Sequence, residues 1–203
     1  MAVGKRESAL DSRESLARVI RLTGANTTVT FEVRWLGVLR VRGRFSEVEG
    51  ILRVPDGRID GAEVRLDVAA ASLRTGIDLR DRHLRGHRFL DAERHPLITF
   101  RSTHVSRPND TVLVTGILTL RGVEREMSMR CPLRYADGQG LQSMVELSAA
   151  FTVPRLSHGV GVARGLRGLN PLLRAIGDRV SIRAEIVVPA TQLLPALLPA
   201  LGQ

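Results

Sequence analysis

The sequence predicts an all-β fold in which antiparallel strands close into a barrel. Apolar and polar residues alternate with a period of two along most of the chain, which is typical of strands with one buried and one solvated face. The connections are short and rich in turn-forming residues, so neighbouring strands are expected to pair antiparallel. About ten strands must hide their apolar faces by stacking as a sandwich or closing as a barrel, and closure also removes exposed edges.

The alternation identifies the strands in chain order. An opening strand is predicted near residues 19–22 and another near residues 51–54. The apolar positions of the other strands are Val29, Phe31, Val33 and Trp35; Leu39, Val41, Gly43 and Phe45; Val64, Leu66 and Val68; Ile98 and Phe100; Val112, Val114, Gly116, Leu118 and Leu120; Met127, Met129, Cys131 and Leu133; Val145, Leu147, Ala149 and Phe151; and Val180, Ile182, Ala184, Ile186 and Val188.

Turns and two longer breaks separate these strands. The turns are predicted at Pro55-Asp56-Gly57, Pro108-Asn109-Asp110, Arg121-Gly122 and Asp137-Gly138-Gln139-Gly140. The breaks cover residues 72–94 and 154–177, and each contains a helix-like piece. In the second break, a short helix over 172–176 is expected to end at Gly177. We expect such short helical segments to close the ends of the barrel.

The inward-facing positions do not decide between a hollow and a solid barrel. They mix bulky residues with small or flexible ones, and the latter are Gly43, Gly116, Ala149, Ala184, Met127 and Met129. This mixture leaves room for a lumen, and a barrel of this many strands is wide enough to hold a small ligand. Methionine and small residues also fill ordinary cores, so the pattern alone is compatible with both interiors.

Composition indicates a single soluble domain. The 203 residues are 43% hydrophobic and 25% charged, so the chain can bury a sizeable core. We assign residues 1–16 to an N-terminal extension, 17–190 to the barrel domain and 191–203 to an apolar C-terminal tail. The single Cys131 excludes an internal disulfide framework, and charged residues throughout residues 1–22 do not fit a secretion signal. A cytoplasmic location is therefore expected.

The net charge of +9 is carried almost entirely by arginine, since Lys5 is the only lysine. The arginines within the strands are dispersed rather than clustered, which is typical of solvated outer faces. They are Arg34, Arg40, Arg42, Arg44, Arg53, Arg65, Arg101, Arg130, Arg134 and Arg183. Aromatic residues make up only 3% of the chain, too few for base-stacking platforms, so no nucleic-acid partner is predicted.

No catalytic residue and no metal site are predicted. His83 and His87 lie four residues apart and could share a helical face, with His95 and His104 as further ligands, but Gly86 weakens the helix and no cysteine lies nearby. Carboxylates at Asp78 and Asp81 suit the start of a helix.

The other candidates for chemistry are no stronger. Cys131 lies on a predicted strand and is expected in the core. The chain has no Gly-x-Ser-x-Gly motif.

Several segments, taken in order, resemble the YceI-like family of polyisoprenoid-binding, lipocalin-like barrels over roughly residues 20–190. The matching segments are Val41-Arg42-Gly43-Arg44-Phe45; Ala71-Ser72-Leu73-Arg74-Thr75-Gly76; Arg80-Asp81-Arg82-His83-Leu84; Phe89-Leu90-Asp91; His95 to Thr103; and Val114 to Val123. The resemblance implies an antiparallel lipocalin-like β-barrel with an apolar tunnel that holds a long isoprenoid or related amphiphilic chain.

The resemblance and the alternation together give a set of tunnel residues, with Phe89 at the mouth. These are Phe31, Val33, Trp35, Phe45, Leu66, Phe89, Ile98, Phe100, Leu118, Met127, Met129, Phe151 and Ile182. The implied function is non-enzymatic binding, transport or sequestration of a polyprenyl lipid or isoprenoid quinone, with no other cofactor. The alternative is an enzyme that uses the same cavity, with His83, His87 and His95 as its polar centre. Transient contact with a membrane surface and homodimerisation are left open.

The chain departs from the family pattern at three places. Trp35 and Asn26-Thr27 stand where relatives often carry histidine, so contacts to a polar head group are expected to differ. Residues 157–177 are richer in glycine and arginine than the family pattern and are expected to reshape the entrance. The tail Leu193 to Leu201, interrupted by Pro195 and Pro199, fits a packed strap, a frayed end or a membrane contact.

Overall fold

The computed structural model describes residues 17–55, 58–109, 111–136, 143–161 and 175–197, and within them it contains eleven strands. The strands are β1 (Arg18–Thr23), β2 (Thr27–Trp35), β3 (Leu39–Phe45), β4 (Val48–Val54), β5 (Glu63–Ala69), β6 (Leu73–Arg74), β7 (Leu97–Ser106), β8 (Thr111–Leu120), β9 (Val123–Ala136), β10 (Met144–Pro154) and β11 (Ile176–Pro189). Their positions follow the period-two pattern of the sequence.

All eleven strands belong to one antiparallel sheet, in the order β1-β4-β5-β7-β8-β9-β10-β11-β2-β3-β6. Sequential hairpins supply most neighbours, while β1 pairs with β4, β5 with β7, β11 with β2, and β3 with β6. The sheet curls until β2 contacts β4, and buried Val29, Val48 and Val68 form a core cluster. The predicted antiparallel barrel is confirmed.

Short helical elements occupy the connections and the end of the chain. Helix α1 (Asp78–Arg85) lies between β6 and β7, and helix α2 (Ala190–Leu197) follows β11. Single 3₁₀ turns cover Ala70–Ser72 and Arg155–His158. The two predicted breaks therefore each contain helical structure.

The helix predicted over 172–176 is wrong at its C-terminal end, where the structure has the start of β11. Ile176 pairs with Trp35, and Gly177 continues β11 instead of ending a helix. A bulge between Ile176 and Val180 shifts the pairing register at this end of β11. Because the bulge interrupts the alternation of apolar and polar residues, the sequence pattern does not mark where β11 begins. Residues 172–174 lie outside the described residues.

Two hairpin turns use left-handed backbone conformations. Arg121 and Gly122 join β8 to β9 with φ of 55° and 71°, as expected for a two-residue hairpin turn. The turn between β2 and β3, which the sequence did not predict, has φ of 53° at Leu36 and 75° at Gly37. The predicted turns at 56–57, 110 and 137–140 fall outside the described residues.

Helix α2 packs against one end of the barrel. Leu193 and Ala190 join Val145 and Val188 in the larger buried core cluster, and Arg18 Nη1 donates to Thr191 O at 3.0 Å. The first residues of the tail are therefore packed against the barrel, as the strap interpretation predicts. Residues 198–203 lie outside the described residues.

Candidate functional site

The barrel encloses a cavity of about 910 Å³. Its size lies in the range of small-molecule sites, and nearly all of its lining side chains are apolar. A lumen is therefore present, which favours the hollow barrel over the solid one.

Twelve of the thirteen predicted tunnel residues line this cavity. They are Phe31, Val33, Trp35, Phe45, Leu66, Phe89, Ile98, Phe100, Leu118, Met129, Phe151 and Ile182. The structure does not bring Met127 to the cavity, although this residue pairs with inward-facing Gly116. The ring of Phe100 occupies the space over Gly116, 2.6 Å from where a Cβ would stand.

The glycines therefore do not create the lumen as the sequence suggested. Phe31 packs over Gly43 in the same way, with ring carbon Cζ 2.4 Å from where a Cβ would stand. Small side chains do contribute space elsewhere, because Ala149 and Ala184 are cross-strand partners and both line the cavity. Because Gly43 and Gly116 have no side chain, the rings of Phe31 and Phe100 can pack directly over them.

Many other strand residues complete the lining. Val41, Val54, Val64, Val112, Val114, Leu120, Leu147, Val153, Val180 and Ile186 are among the lining residues that were not selected beforehand. Each lies in the inward phase of its strand, so the period-two signal was present in the sequence. The predicted set was chosen by the same alternation and included one valine, Val33.

The polar side chains of the lining gather at the barrel end formed by α1, the loop that follows it and residues 155–160. We call this end the mouth. Arginine and histidine side chains there are Arg80, Arg82, His83, His87, Arg88 and Arg155. Among the described lining residues there is no aspartate or glutamate. The cavity therefore combines an apolar interior with a cationic mouth.

Helix α1 is held at the mouth by Asp81. This buried carboxylate accepts hydrogen bonds from the backbone N–H of Thr75, at 2.9 Å, and from the Thr75 hydroxyl. Arg80 Nε donates to the same hydroxyl at 2.7 Å, and Arg85 donates to Leu73 O. Asp81 therefore serves a structural role, and exposed Asp78 lies in the first turn of the helix.

Arg121 joins three segments at the mouth. Its Nη1 donates to Gly159 O, and its Nη2 donates to His87 O at 2.7 Å and lies 3.7 Å from Asp91 Oδ2. The β8–β9 turn is thereby tied to the loop after α1 and to the segment after β10.

Arg155 is a buried cation that the sequence analysis missed. Its guanidinium donates to Gly177 O, Val160 O and Ile176 O at 2.8 to 2.9 Å. Burial lowers the pKa of this guanidinium, and the nearby Asp178 carboxylate opposes that shift. Arg155 continues the inward phase of Ala149, Phe151 and Val153, and this continuation is the signal that could have found it.

The histidines do not converge. His83 and His87 are exposed residues that line the mouth, His104 is exposed on β7, and the His95 ring packs against the Gly122 turn. Within the ranges that the structure describes, no three His, Cys, Asp or Glu side chains are grouped to hold a metal ion. The polar centre proposed for an enzyme would thus lack His95.

Two of the three departures from the family pattern, at Asn26-Thr27 and at Trp35, have different surroundings in the barrel. Asn26 fastens the β1–β2 turn, where its Oδ1 accepts from Thr23 N and its Nδ2 donates to Arg21 O. Trp35 lines the cavity at the far end of β2, toward the mouth. Of these two departures, Trp35 is therefore the one that can contact a molecule in the cavity.

Cys131 is the one ionisable side chain of the deep lining among the described residues. Burial raises the pKa of its thiol to about 11. The thiol is therefore protonated at neutral pH, and it behaves as a small apolar group.

Comparison with known proteins gives consistent matches. The sequence model of the YceI-like domain matches residues 21–188. A UPF0312 protein from Shewanella oneidensis is 31% identical over 135 residues, which cover 66% of this chain and 69% of the relative. A UPF0312 protein from Pseudomonas aeruginosa is 30% identical over 110 residues, which cover 54% of this chain and 58% of the relative.

Two solved structures share the lipocalin-type barrel. BcnA of Burkholderia cenocepacia superposes with a TM-score of 0.69 at 17% identity, covering 81% of this chain and 98% of BcnA. A polyisoprenoid binding domain from Saccharophagus degradans, implicated in plant cell wall breakdown, gives a TM-score of 0.60 at 16% identity, covering 86% and 98% of the two chains. Across the described ranges, none of the helices has the length and apolarity needed to span a bilayer.

Proposed function

Because this chain belongs to the YceI-like family, we propose that its barrel binds a long isoprenoid or similar amphiphilic lipid, with the tail in the cavity and the head group at the mouth. The observation that carries the proposal is an apolar cavity of about 910 Å³ inside the barrel. The polyisoprenoid-binding domain that shares the fold supports the class of ligand. Polyprenyl lipids and isoprenoid quinones both belong to this class.

The apolar lining supplies the affinity in this proposal. A lipid tail that buries several hundred Å² gains on the order of 10 kcal/mol, at about 25 cal/mol per Å², before the cost of ordering the chain. Few polar contacts are then needed. The role we propose is carriage or sequestration, in which no bond of the lipid is changed.

The mouth supports a polar, electron-rich head group. Arg82 and Arg88 are exposed there, and arginine side chains bind phosphate oxygens in a bidentate manner. The described lining has no acidic side chain to compete for them. We therefore expect a polyprenyl phosphate to bind more tightly than the uncharged polyprenol of the same length.

The decisive experiment identifies the ligand and blocks its site. Organic extraction of the purified protein followed by mass spectrometry is expected to yield a long-chain lipid. Uptake of polyprenol into delipidated protein is expected to change the fluorescence of the single tryptophan, Trp35, which lines the cavity. Ala149→Phe, which places a ring in the lumen, is expected to reduce this uptake at least about tenfold.

A matched control lies one residue away. Ala150 is exposed on the outer face of the same strand, so Ala150→Phe is expected to leave uptake unchanged. Equal uptake by the two folded variants, or no lipid in the extract together with no uptake of added polyprenol, would contradict the proposal.

The head-group preference is tested separately. Arg82→Gln with Arg88→Gln is expected to remove the preference for polyprenyl phosphate, while the affinity for polyprenol stays within about twofold. The control is Arg130→Gln with Arg134→Gln, two exposed arginines on β9 outside the cavity lining. An unchanged phosphate preference in the mouth variant would show that the head group lies elsewhere.

A further inference from the structure

The turn between β2 and β3 presents apolar side chains to solvent. Leu36, Val38 and Leu39 are 58%, 79% and 51% exposed, and they follow one another within four residues. Two-residue and three-residue hairpin turns usually carry glycine, asparagine or aspartate, because these residues tolerate left-handed backbone. Here Leu36 occupies that conformation, with φ of 53°. A strained, exposed leucine contributes little to folding, which points to a role in contact with another surface.

This turn adjoins the mouth. Trp35 and Val41, on either side of the turn, line the cavity. Leu36 N donates to Ala175 O at 2.7 Å, and the next residue, Ile176, lines the cavity and accepts a hydrogen bond from Arg155. A surface that covered the turn would therefore lie beside the opening through which a ligand passes.

Arginines surround the apolar turn. Arg34 and Arg40 face each other across the hairpin, and Arg42 and Arg44 follow on the same exposed face of β3. Glu32 is the one acidic residue of residues 27–45, so four arginines and one glutamate leave a charge of +3. Glu32 lies 2.7 Å from Arg42 Nε and 3.7 Å from Arg40 Nε, so it neutralises one of these charges.

We propose that the docking hairpin, which we define as Arg34 to Arg44, binds the surface of an anionic lipid bilayer. The side chains of Leu36, Val38 and Leu39 enter the interface between head groups and acyl chains, and the arginines contact lipid phosphates. A second copy of this chain fits the hairpin less well, because it would bring two faces of charge +3 together. The charge thus favours an anionic partner.

The inference deepens the proposed function by naming the surface from which the lipid is taken up. Docking would place the mouth at the bilayer, so a tail could pass between membrane and cavity with little exposure to water. Docking itself needs no ligand, and it can therefore be measured apart from lipid uptake.

The test uses flotation of the full-length protein with phosphatidylcholine vesicles that contain or lack phosphatidylglycerol. We expect binding to the anionic vesicles that weakens as salt is raised, and little binding to phosphatidylcholine alone. Val38→Asp is expected to lower the partition coefficient by roughly tenfold or more, since it removes the most exposed apolar side chain of the turn. Val19→Asp is the matched control, because Val19 is 55% exposed on β1.

The electrostatic part is tested with neutral substitutions. Arg34→Gln with Arg40→Gln is expected to weaken binding to anionic vesicles by about twenty-fivefold, at roughly fivefold for each arginine near the surface. Arg130→Gln with Arg134→Gln removes the same charge from β9 and is expected to cost less than about threefold.

Three results would overturn the inference. They are equal binding to both kinds of vesicle, equal losses in the hairpin and control variants, and a concentration-dependent dimer that Val38→Asp dissociates. Uptake of polyprenol dispersed without vesicles is measured on the same proteins. Normal uptake with no vesicle binding rejects the docking hairpin alone, whereas vesicle binding without uptake rejects the proposed function alone.

Discussion

The apolar interior of the barrel keeps the thiol of Cys131 in its neutral form. Cys131 is buried on β9, and the loss of hydration raises the pKa of its thiol from 9.0 to about 11. A thiolate at this position would place a charge next to the lipid tail that we propose. The protonated form keeps the deep lining neutral over the physiological range of pH.

This shift predicts a loss of stability at high pH. Above pH 9 the thiol of the unfolded chain releases its proton, while the folded protein keeps it until about pH 11. The unfolded state then binds fewer protons, so the free energy of unfolding is expected to fall by about 1.4 kcal/mol per pH unit, or about 3 kcal/mol in total. Urea denaturation at a series of pH values between 8 and 11 measures this fall in the free energy of unfolding.

Cys131→Ala is the control for this prediction, because alanine has no proton to release. The variant is expected to be less stable at pH 8, but to lack this part of the pH dependence. Parallel stability curves for the two proteins up to pH 11 would refute the assignment to Cys131.

At this scale, alternation in the sequence marks side chains that line the cavity, whereas no local pattern marks the cationic mouth. Side chains such as Val33 and Ile182 follow from alternation alone, because the period of a strand is a local property. Arg155 continued the same period, but a buried arginine becomes credible only when the acceptors Val160 O, Ile176 O and Gly177 O are known. Two of these carbonyls, those of Ile176 and Gly177, lie more than twenty residues away along the chain, so a local pattern cannot show that they meet Arg155.

At the scale of elements, hairpin β2–β3 depends on a close fit between an aromatic ring and a glycine. Gly43 lies opposite Phe31, whose ring covers the glycine and also contacts Phe45, with ring centroids 5.8 Å apart. A Cβ at position 43 would also stand 2.8 Å from Arg74 O. The hairpin and its pairing with β6 therefore both require the absence of a side chain at this position.

Gly43→Ala is predicted to destabilise the protein by about 2 kcal/mol, because the added methyl group overpacks against Phe31 and the β6 backbone. Chemical denaturation measures the change. Phe31→Leu in the same chain is expected to restore part of the lost stability relative to the sum of the two single substitutions. Strict additivity of the two changes would show that the ring and the glycine do not interact.

Which strands form was predictable, but their order in the sheet was not. The pattern located strands near residues 19–22 and 51–54, yet nothing local in it states that β1 pairs with β4 or β11 with β2. The start of β11 was also misassigned, because the bulge after Ile176 breaks the alternation there. Pairings between distant segments depend on the closure of the whole sheet, which a local pattern does not encode.

At the scale of the whole molecule, the cavity predicts that ligand binding and stability are linked. A lipid that binds only the folded barrel, at about one hundred times its Kd, adds about 2.7 kcal/mol to the free energy of unfolding. For a protein of this size, the melting temperature is expected to rise by roughly 5–10 °C. Differential scanning fluorimetry of delipidated protein with added polyprenol checks this outcome.

Ala149→Phe serves as the comparison at this scale too. Its melting temperature is expected to be nearly independent of polyprenol, because the ring fills part of the lumen. A rise equal to that of the unsubstituted protein would mean that the lipid binds outside the barrel.

The hollow interior itself could not be derived from the pattern. Ala149 and Ala184 would suit a filled core equally well, and the width of the barrel depends on how the strands are staggered across the sheet. The segments shared with the family gave the expectation of a tunnel, and the structure provides its volume.

Leu193 of helix α2 is fully buried against Val145 and Val188, at the ends of β10 and β11 that lie farthest from Arg155 and the mouth. In the binding mode that we propose, a lipid would enter the mouth tail first and would leave by the same mouth head first. A cavity of finite depth would also discriminate isoprenoids by length, because each unit beyond that depth would leave more hydrocarbon outside and would add little affinity. A plot of binding strength against the number of isoprene units should therefore rise and then level off.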